Sequence, residues 1–255
     1  MQFGSLSLLD KLNETSARLF SCSLAEATEK QAYQTVCTFL REHLAAKRKE
    51  YTDSFPEKGR KQVYYMSMEF LVGTSLRNNL FNLGLEEEMK KVLKAQGICL
   101  ENLYEMDPDA GLGNGGLGRL ASCYLDSLTG EELPATGFSI RSEFGIFKQK
   151  IIDGWQVEFP DNWLENGEVW LQPRYDESYE IKFGGKIDEW FDNGQFRVAQ
   201  SGYQSVVAVP YDMYISGYHS KAVNKLVLWS AKLPSFDMNA FSRGEYVRSL
   251  EQNTM

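Results

Sequence analysis

Apolar residues recur at three- and four-residue spacing through the first fifty positions, which predicts helices over 5–20 and 26–50. In the second of these, Tyr33, Val36, Cys37, Leu40 and Leu44 form one stripe. The turn-rich stretch Ser54-Phe55-Pro56-Glu57-Lys58-Gly59 closes this helical entry. The run Val63 to Val72 is then apolar on both alternating sets and stops at Gly73, the pattern of a strand buried on both faces. Helical periodicity returns over 75–83, over 85–96 up to Gly97, and over about 100–105. A strand followed by helices opens an α/β unit. From about residue 136 short β-rich runs are punctuated by Asp153-Gly154, Gly184-Gly185 and Asp192-Asn193-Gly194, the turn signals of successive hairpins. Trp155, Trp163, Trp170, Trp190 and Trp229 all fall in this half and are expected mainly as core or hairpin-packing side chains. The pattern thus divides into a helical entry (about 1–60), an α/β portion (about 61–135) and a β-rich portion (about 136–255), without internal repeats or a clear linker. A last helical pattern, Arg243 to Met255, lacks a terminating glycine, asparagine or proline, as expected of a chain cut short.

Composition narrows the classes. With 255 residues, 43% hydrophobic and 24% charged, the chain can bury a sizeable core. No run approaches the roughly eighteen apolar residues that span a bilayer. The opening MQFGSLSLLDKLNE has neither a basic head nor a long apolar run, so a cytoplasmic location without a membrane partner is expected. A net charge of −8 with no basic stripe argues against nucleic acid and suits a neutral partner. The one basic cluster, Lys47, Arg48 and Lys49, is expected to oppose the dipole at the end of the second helix. Cys22, Cys37, Cys99 and Cys123 include no CxxC pair, and His43 and His219 are the only imidazoles. Free buried thiols are therefore expected, rather than a disulfide or a metal site. Asn13-Glu14-Thr15 fits a glycosylation sequon, which without a secretion signal reads as chance.

The chemical signal is Gly111-Leu112-Gly113-Asn114-Gly115-Gly116-Leu117-Gly118-Arg119-Leu120, directly ahead of a helix on which Leu117, Leu120, Ala121, Tyr124, Leu125 and Leu128 line one face. Glycines let a ligand approach the backbone, and the unpaired N–H groups of a helix start attract an anion such as phosphate; Asn114 is a candidate cap. A dinucleotide fingerprint fits in two registers, but it should follow a strand directly, whereas Glu105 to Ala110 is acidic and proline-broken. A tight turn that binds nothing is the remaining alternative.

Asp109 to Ala121 followed by Leu125-Asp126-Ser127 resembles the glycine loop of α-glucan phosphorylases, the glycogen, starch and maltodextrin type. Three further blocks agree in order and spacing: Tyr64 to Phe70, Ile140 to Phe147, and Pro210-Tyr211-Asp212 through Leu228 to Lys232. The sequence departs from the family pattern at Leu71, Thr74, Tyr214, Ser216 and Val227. The resemblance implies an α/β chain forming the amino-terminal part of a two-domain glycosyltransferase fold of GT-B type, with Rossmann-like core elements and a β-hairpin-rich second half. It implies phosphorolysis of terminal α-1,4-linked glucose to glucose 1-phosphate, with α-1,4-glucan and inorganic phosphate as partners, and a homodimeric full-length parent without the phosphorylation control of animal relatives. Pyridoxal 5'-phosphate would serve that parent, held by a lysine beyond Met255. Carried over by residue, the backbone of Gly115 and Gly116 would meet the substrate phosphate and that of Leu117 the glucosyl unit, with Asn114, Gly113 and Gly118 supporting the loop. No catalytic side chain and no metal ligand is expected in this segment. Glu69, Arg141 and Glu143 match family blocks and are expected as buried charged groups supporting the fold, Lys232 as structural or exposed, and His219 on a turn. The competing reading is a non-catalytic module that binds sugar phosphate or glucan.

Overall fold

A computed structural model of the chain describes residues 7–55 and 59–232. The predicted helix over Arg243 to Met255 and the turn residues Pro56 to Lys58 lie outside them. The described residues form two compact units, one built from residues up to Gln172 together with Asp212–Leu228, the other from Pro173–Tyr211 and residues from Trp229 onward.

The first unit begins with helices α1 (Leu8–Phe20) and α2 (Glu29–Asp53). Each starts at a reciprocal capping box, Ser7 with Asp10 and Thr28 with Gln31, which satisfies N–H groups the helix itself leaves open. The stripe read from the sequence is the buried one: Tyr33, Val36, Cys37, Leu40 and Leu44 join Leu8 and Leu12 in the main core. Strand β1 (Val63–Met66) leads to α3 (Ser75–Leu83), α4 (Glu86–Ala95), α5 (Leu100–Met106) and α6 (Gly116–Gly130), and β2 (Ala135–Ile140) returns parallel to β1, pairing Val63 with Ala135 and Met66 with Phe138. Next come the hairpin β3 (Lys148–Ile152) and β4 (Trp155–Phe159), the short helix α7 (Leu164–Gly167), a 3-10 turn at Glu168–Trp170 and the two-residue strand β5 (Gln172–Pro173). The later strands β9 (Gln204–Ser216) and β10 (Val223–Lys232) extend the sheet in the order β1, β2, β10, β9.

The second unit holds β6 (Tyr179–Phe183), paired antiparallel with Gln204–Ala208 of β9, and the hairpin β7 (Lys186–Asp192) and β8 (Gln195–Ser201). The two-residue turns Asp153-Gly154 and Asn193-Gly194 have positive φ at both positions, the type that matches strand twist. Gly184-Gly185 differs from expectation: it ends β6, which pairs with β9 rather than with β7. Gly185 is required because a side chain there would strike the Ser201 carbonyl.

Four expectations are corrected. Strand β1 covers only four residues at the margin of the sheet, with Tyr64 and Met66 exposed; residues 67–72 leave it for another purpose, and their apolar side chains mimicked a continued strand. Helix α2 runs on to Asp53, so Lys47 and Arg48 are a full turn short of its end; Lys47 Nζ donates to the Ser220 carbonyl and Arg48 Nη1 to that of Val223, each at 2.7 Å, fixing the entry to β10. Of the four free thiols only Cys37 is buried, and Cys99 and Cys123 are exposed. Trp163 and Trp170 are core residues, but Trp155 and Trp190 stand exposed on two-stranded hairpins that have a single covered face at most. Among the described residues no helix is long and apolar enough to cross a membrane.

Asp107, at the end of α5, organises the first unit. Its buried carboxylate accepts the Tyr33 hydroxyl (2.8 Å), the Trp170 indole N–H (2.8 Å) and the first two backbone N–H groups of α3, from Ser75 and Leu76 (2.7 Å each). Thr74 gives α3 no side-chain cap, so Asp107 caps that helix from a distance. Burial is the main cause that pushes the Tyr33 phenol up, so it stays a donor.

Asp107→Ala leaves the Ser75 and Leu76 N–H groups and the Trp170 indole without an acceptor, and Tyr33 with only the Asn166 carbonyl at 3.3 Å. It should cost at least about 3 kcal/mol, read from urea unfolding, and a loss below about 1 kcal/mol would contradict the capping role. Half-buried His43 supplies a pH test. Burial, then Lys47 and Lys11, hold its folded pKa below the ordinary 6.5. Its stabilising contribution is therefore complete above the unfolded value and is lost as pH falls below about 6.5 and through the folded value. Stability of His43→Gln should fall less steeply over that window than that of the parent chain; equal slopes in melting curves from pH 7.5 to 5 would rule this out.

Candidate functional site

The glycine loop lies between α5 and α6, and it follows a helix rather than a strand, so the context of a dinucleotide fingerprint is missing. The residues that leave β1 form its seat. Phe70 donates its N–H to the Leu112 carbonyl at 2.8 Å, Leu71 to the Gly118 carbonyl at 3.0 Å, and Arg119 Nη1 reaches the Leu71 carbonyl at 3.3 Å. The half-buried Glu69 carboxylate accepts the Asn114 N–H at 3.5 Å. This seat escaped the sequence pattern; the signal for it was the unbroken Ser67-Met68-Glu69-Phe70 block, whose strand-like look concealed a hydrogen-bonding role.

Three of the five loop glycines are explained by close packing, two of them against that seat. A Cβ at Gly113 would stand 3.0 Å from the Leu71 nitrogen and 3.1 Å from the Phe70 carbonyl carbon, and one at Gly118 would meet Glu69 Cβ at 3.0 Å. At Gly111 it would collide with the Trp163 ring, Cδ1 lying 2.5 Å away. Gly115 and Gly116 are different. A Cβ on either meets nothing within 4 Å, and neither has positive φ; Gly115 is extended at φ −145°. Neither backbone strain nor packing among the described residues demands glycine there.

Helix α6 begins at Gly116 with Gly115 as N-cap and no side-chain cap, so Asn114 does not cap it as expected. Its inner face also differs from the predicted leucine stripe. Gly118, Ala121, Ser122, Leu125 and Thr129 are buried, while Leu117, Leu120 and Tyr124 are exposed, because close packing on Glu69 and Leu71 turns the small residues inward. At the far end Asn224 holds the helix: its amide donates to Thr129 Oγ1 and the Leu133 carbonyl, each at 3.0 Å, and accepts the Ala135 N–H at 2.9 Å. A third face, with Arg119, Ser122, Cys123 and Asp126, lines a hollow of about 300 Å³ with Thr74 and Asn78. Burial raises the Asp126 pKa and Arg119 partly offsets the rise.

The remaining candidates are not brought to the loop. Arg141 pairs with Glu168 at 3.2 Å, Glu143 is exposed, and His219 is an exposed turn residue with φ 49°. In the second unit, Lys232 lies over the Tyr175 ring at 4.8 Å. Ser216 is absorbed into a buried network, donating to Asn79 Oδ1 at 2.7 Å and accepting from the Asn82 amide at 3.1 Å.

A family model described as carbohydrate phosphorylase matches residues 93–255, which includes the whole glycine loop and α6. The chain belongs to the carbohydrate phosphorylase family. Among its relatives, the glycogen phosphorylase of Chlamydia pneumoniae is 45% identical over 193 residues, covering 75% of this chain and 23% of that protein. That of Bacillus subtilis is 41% identical over 210 residues, covering 82% and 26%, and the human brain form is 40% identical over 225 residues, covering 88% and 26%. The phosphorylase chain in hand thus spans about a quarter of the length of these curated relatives.

The two classes of glycine separate by stability. Gly113→Ala and Gly118→Ala should each destabilise by about 1–3 kcal/mol through overpacking against backbone, whereas Gly116→Ala, at the first position of α6 with open space and no positive φ, should be neutral or slightly stabilising. Thermal unfolding of the three variants checks this; equal melting temperatures would refute the seat.

Proposed function

We propose that the chain is the amino-terminal portion, residues 1–255, of the amino-terminal domain of an α-glucan phosphorylase with a two-domain GT-B architecture. Its glycine loop positions phosphate and the terminal glucosyl unit in phosphorolysis of α-1,4-glucan to glucose 1-phosphate. The observation that carries this reading is the open space at Gly115 and Gly116, where nothing within the described chain calls for glycine, beside a helix start without a side-chain cap. An anion seated there receives backbone N–H groups and the positive end of the α6 dipole. Gly115 and Gly116 would face phosphate and Leu117 the sugar, with Gly113, Asn114 and Gly118 holding the loop on Glu69 and Leu71. The segment contributes preorganised donors rather than a nucleophile.

The resemblance also implies pyridoxal 5'-phosphate in the full-length parent. The Glu69 carboxylate and the Arg119 guanidinium, which hydrogen-bond within the loop and its seat, offer no amine for a Schiff base with that cofactor. A cytoplasmic, homodimeric parent completes the proposal.

In the parent enzyme Gly116→Asp should lower phosphorolysis about a hundredfold or more, since the new carboxylate occupies and repels the phosphate position. Gly116→Ala, with no positive φ to strain it, should keep its melting temperature and mainly raise the KM for phosphate. Near-normal phosphate kinetics in Gly116→Asp would reduce the loop to a turn.

A further inference from the structure

We propose that Phe81 and Tyr218 form a surface platform that binds an α-glucan chain, using residues that take no part in the glycine loop. The two rings stack with centroids 5.1 Å apart and planes 22° from parallel, yet they remain 55% and 57% exposed. Tyr218 is braced by the ring of His219, edge-on at 4.2 Å, and His219 is tied to α3 by its N–H, which donates to the Asn82 carbonyl at 3.1 Å. A pair of large rings held in place but left open to water is a binding surface prepared at little further entropic cost.

The class of ligand follows from what borders the rings. Asn82 and His219, the chain neighbours of Phe81 and Tyr218, line an open cleft of about 880 Å³. Its wall carries both signs of charge, with Glu50 and Glu132 among Lys47, Arg60 and Lys221, and part of that charge is already engaged: Lys47 donates to the Ser220 carbonyl and Glu132 accepts the Lys221 N–H. Such a wall suits neutral hydroxyl groups better than an anion. A pyranose ring has flat faces of C–H groups that lie on aromatic rings and an equator of hydroxyls that reach mixed donors and acceptors. A chain of glucose units would set one ring on the platform and direct its neighbours into the cleft. The choice of α-glucan over other neutral saccharides rests on the proposed function.

Maltoheptaose is the probe, titrated into the 255-residue chain without phosphate and followed by saturation-transfer NMR and calorimetry. Saturable binding is expected, weakened about fivefold or more in Phe81→Ala and in Tyr218→Ala. Phe81→Leu, which keeps apolar bulk and serves as the folding control, should retain its melting temperature and still lose affinity. No saturable binding, or binding unchanged in the ring variants, overturns the platform. Because the glycine loop is tested separately by phosphate kinetics of Gly116 variants in the parent, either reading can fail while the other stands.

Discussion

A carboxylate removed from water needs its oxygens filled, and in this chain Asp107 meets that need with partners from three distant places. Tyr33 comes from the long helix α2, the N–H groups of Ser75 and Leu76 from the start of α3, and the Trp170 indole from beyond the β3–β4 hairpin. The same four hydrogen bonds set where α5 stops, and Gly111 is only four positions further along the chain. The path into the glycine loop is thus determined by a requirement of the core. From there the backbone bonds of Phe70 and Leu71 carry the constraint around the loop, and close packing at Gly111, Gly113 and Gly118 removes the remaining freedom. Gly115 and Gly116 are left as the open part of an otherwise filled structure.

Helix α6 is held asymmetrically. Its carboxy-terminal end is fastened by Asn224, Thr129 and Ser220, while its amino-terminal end has backbone N–H groups and no capping side chain. Rigidity at one end gives direction to the other, which is what a binding group preorganised for an anion requires. Cationic side chains elsewhere serve architecture: Lys47 and Arg48 close carbonyl groups at the entrance to β10, and Arg41 closes that of Val169.

Elements governed by their own periodicity were legible in the sequence. The α2 stripe, α3 to α5 and the Asp153-Gly154 and Asn193-Gly194 turns depend on local spacing or on local φ, and their positions follow from the residues themselves. The fate of Val63 to Val72 does not, because an apolar run cannot say whether its second half pairs in a sheet or folds under a loop. The inner face of α6 departs from the leucine pattern for a related reason: Leu117 and Tyr124 fit the amphipathic spacing, but the surface at Glu69 and Leu71 leaves no room for a Cβ at Gly118. Asp107 and Asn224 left no periodic trace at all, since a buried polar residue is defined by partners remote in the chain. The candidate loop was recognised from its glycines, while the distinction between glycines needed for packing and those left open came only from three-dimensional placement.

The span of the Asp107 partners also orders events in time. A chain made from its amino terminus can form α1 and α2 early and close the β3–β4 hairpin by contacts a few residues apart, which takes on the order of microseconds. Asp107 nevertheless lacks its indole donor until Trp170 has emerged, and β2 gains its second neighbour only once Val223 and the residues after it are present. Completion of the Asp107 cluster thus requires a contact 63 residues away in the chain, the kind of closure that forms more slowly than a local hairpin.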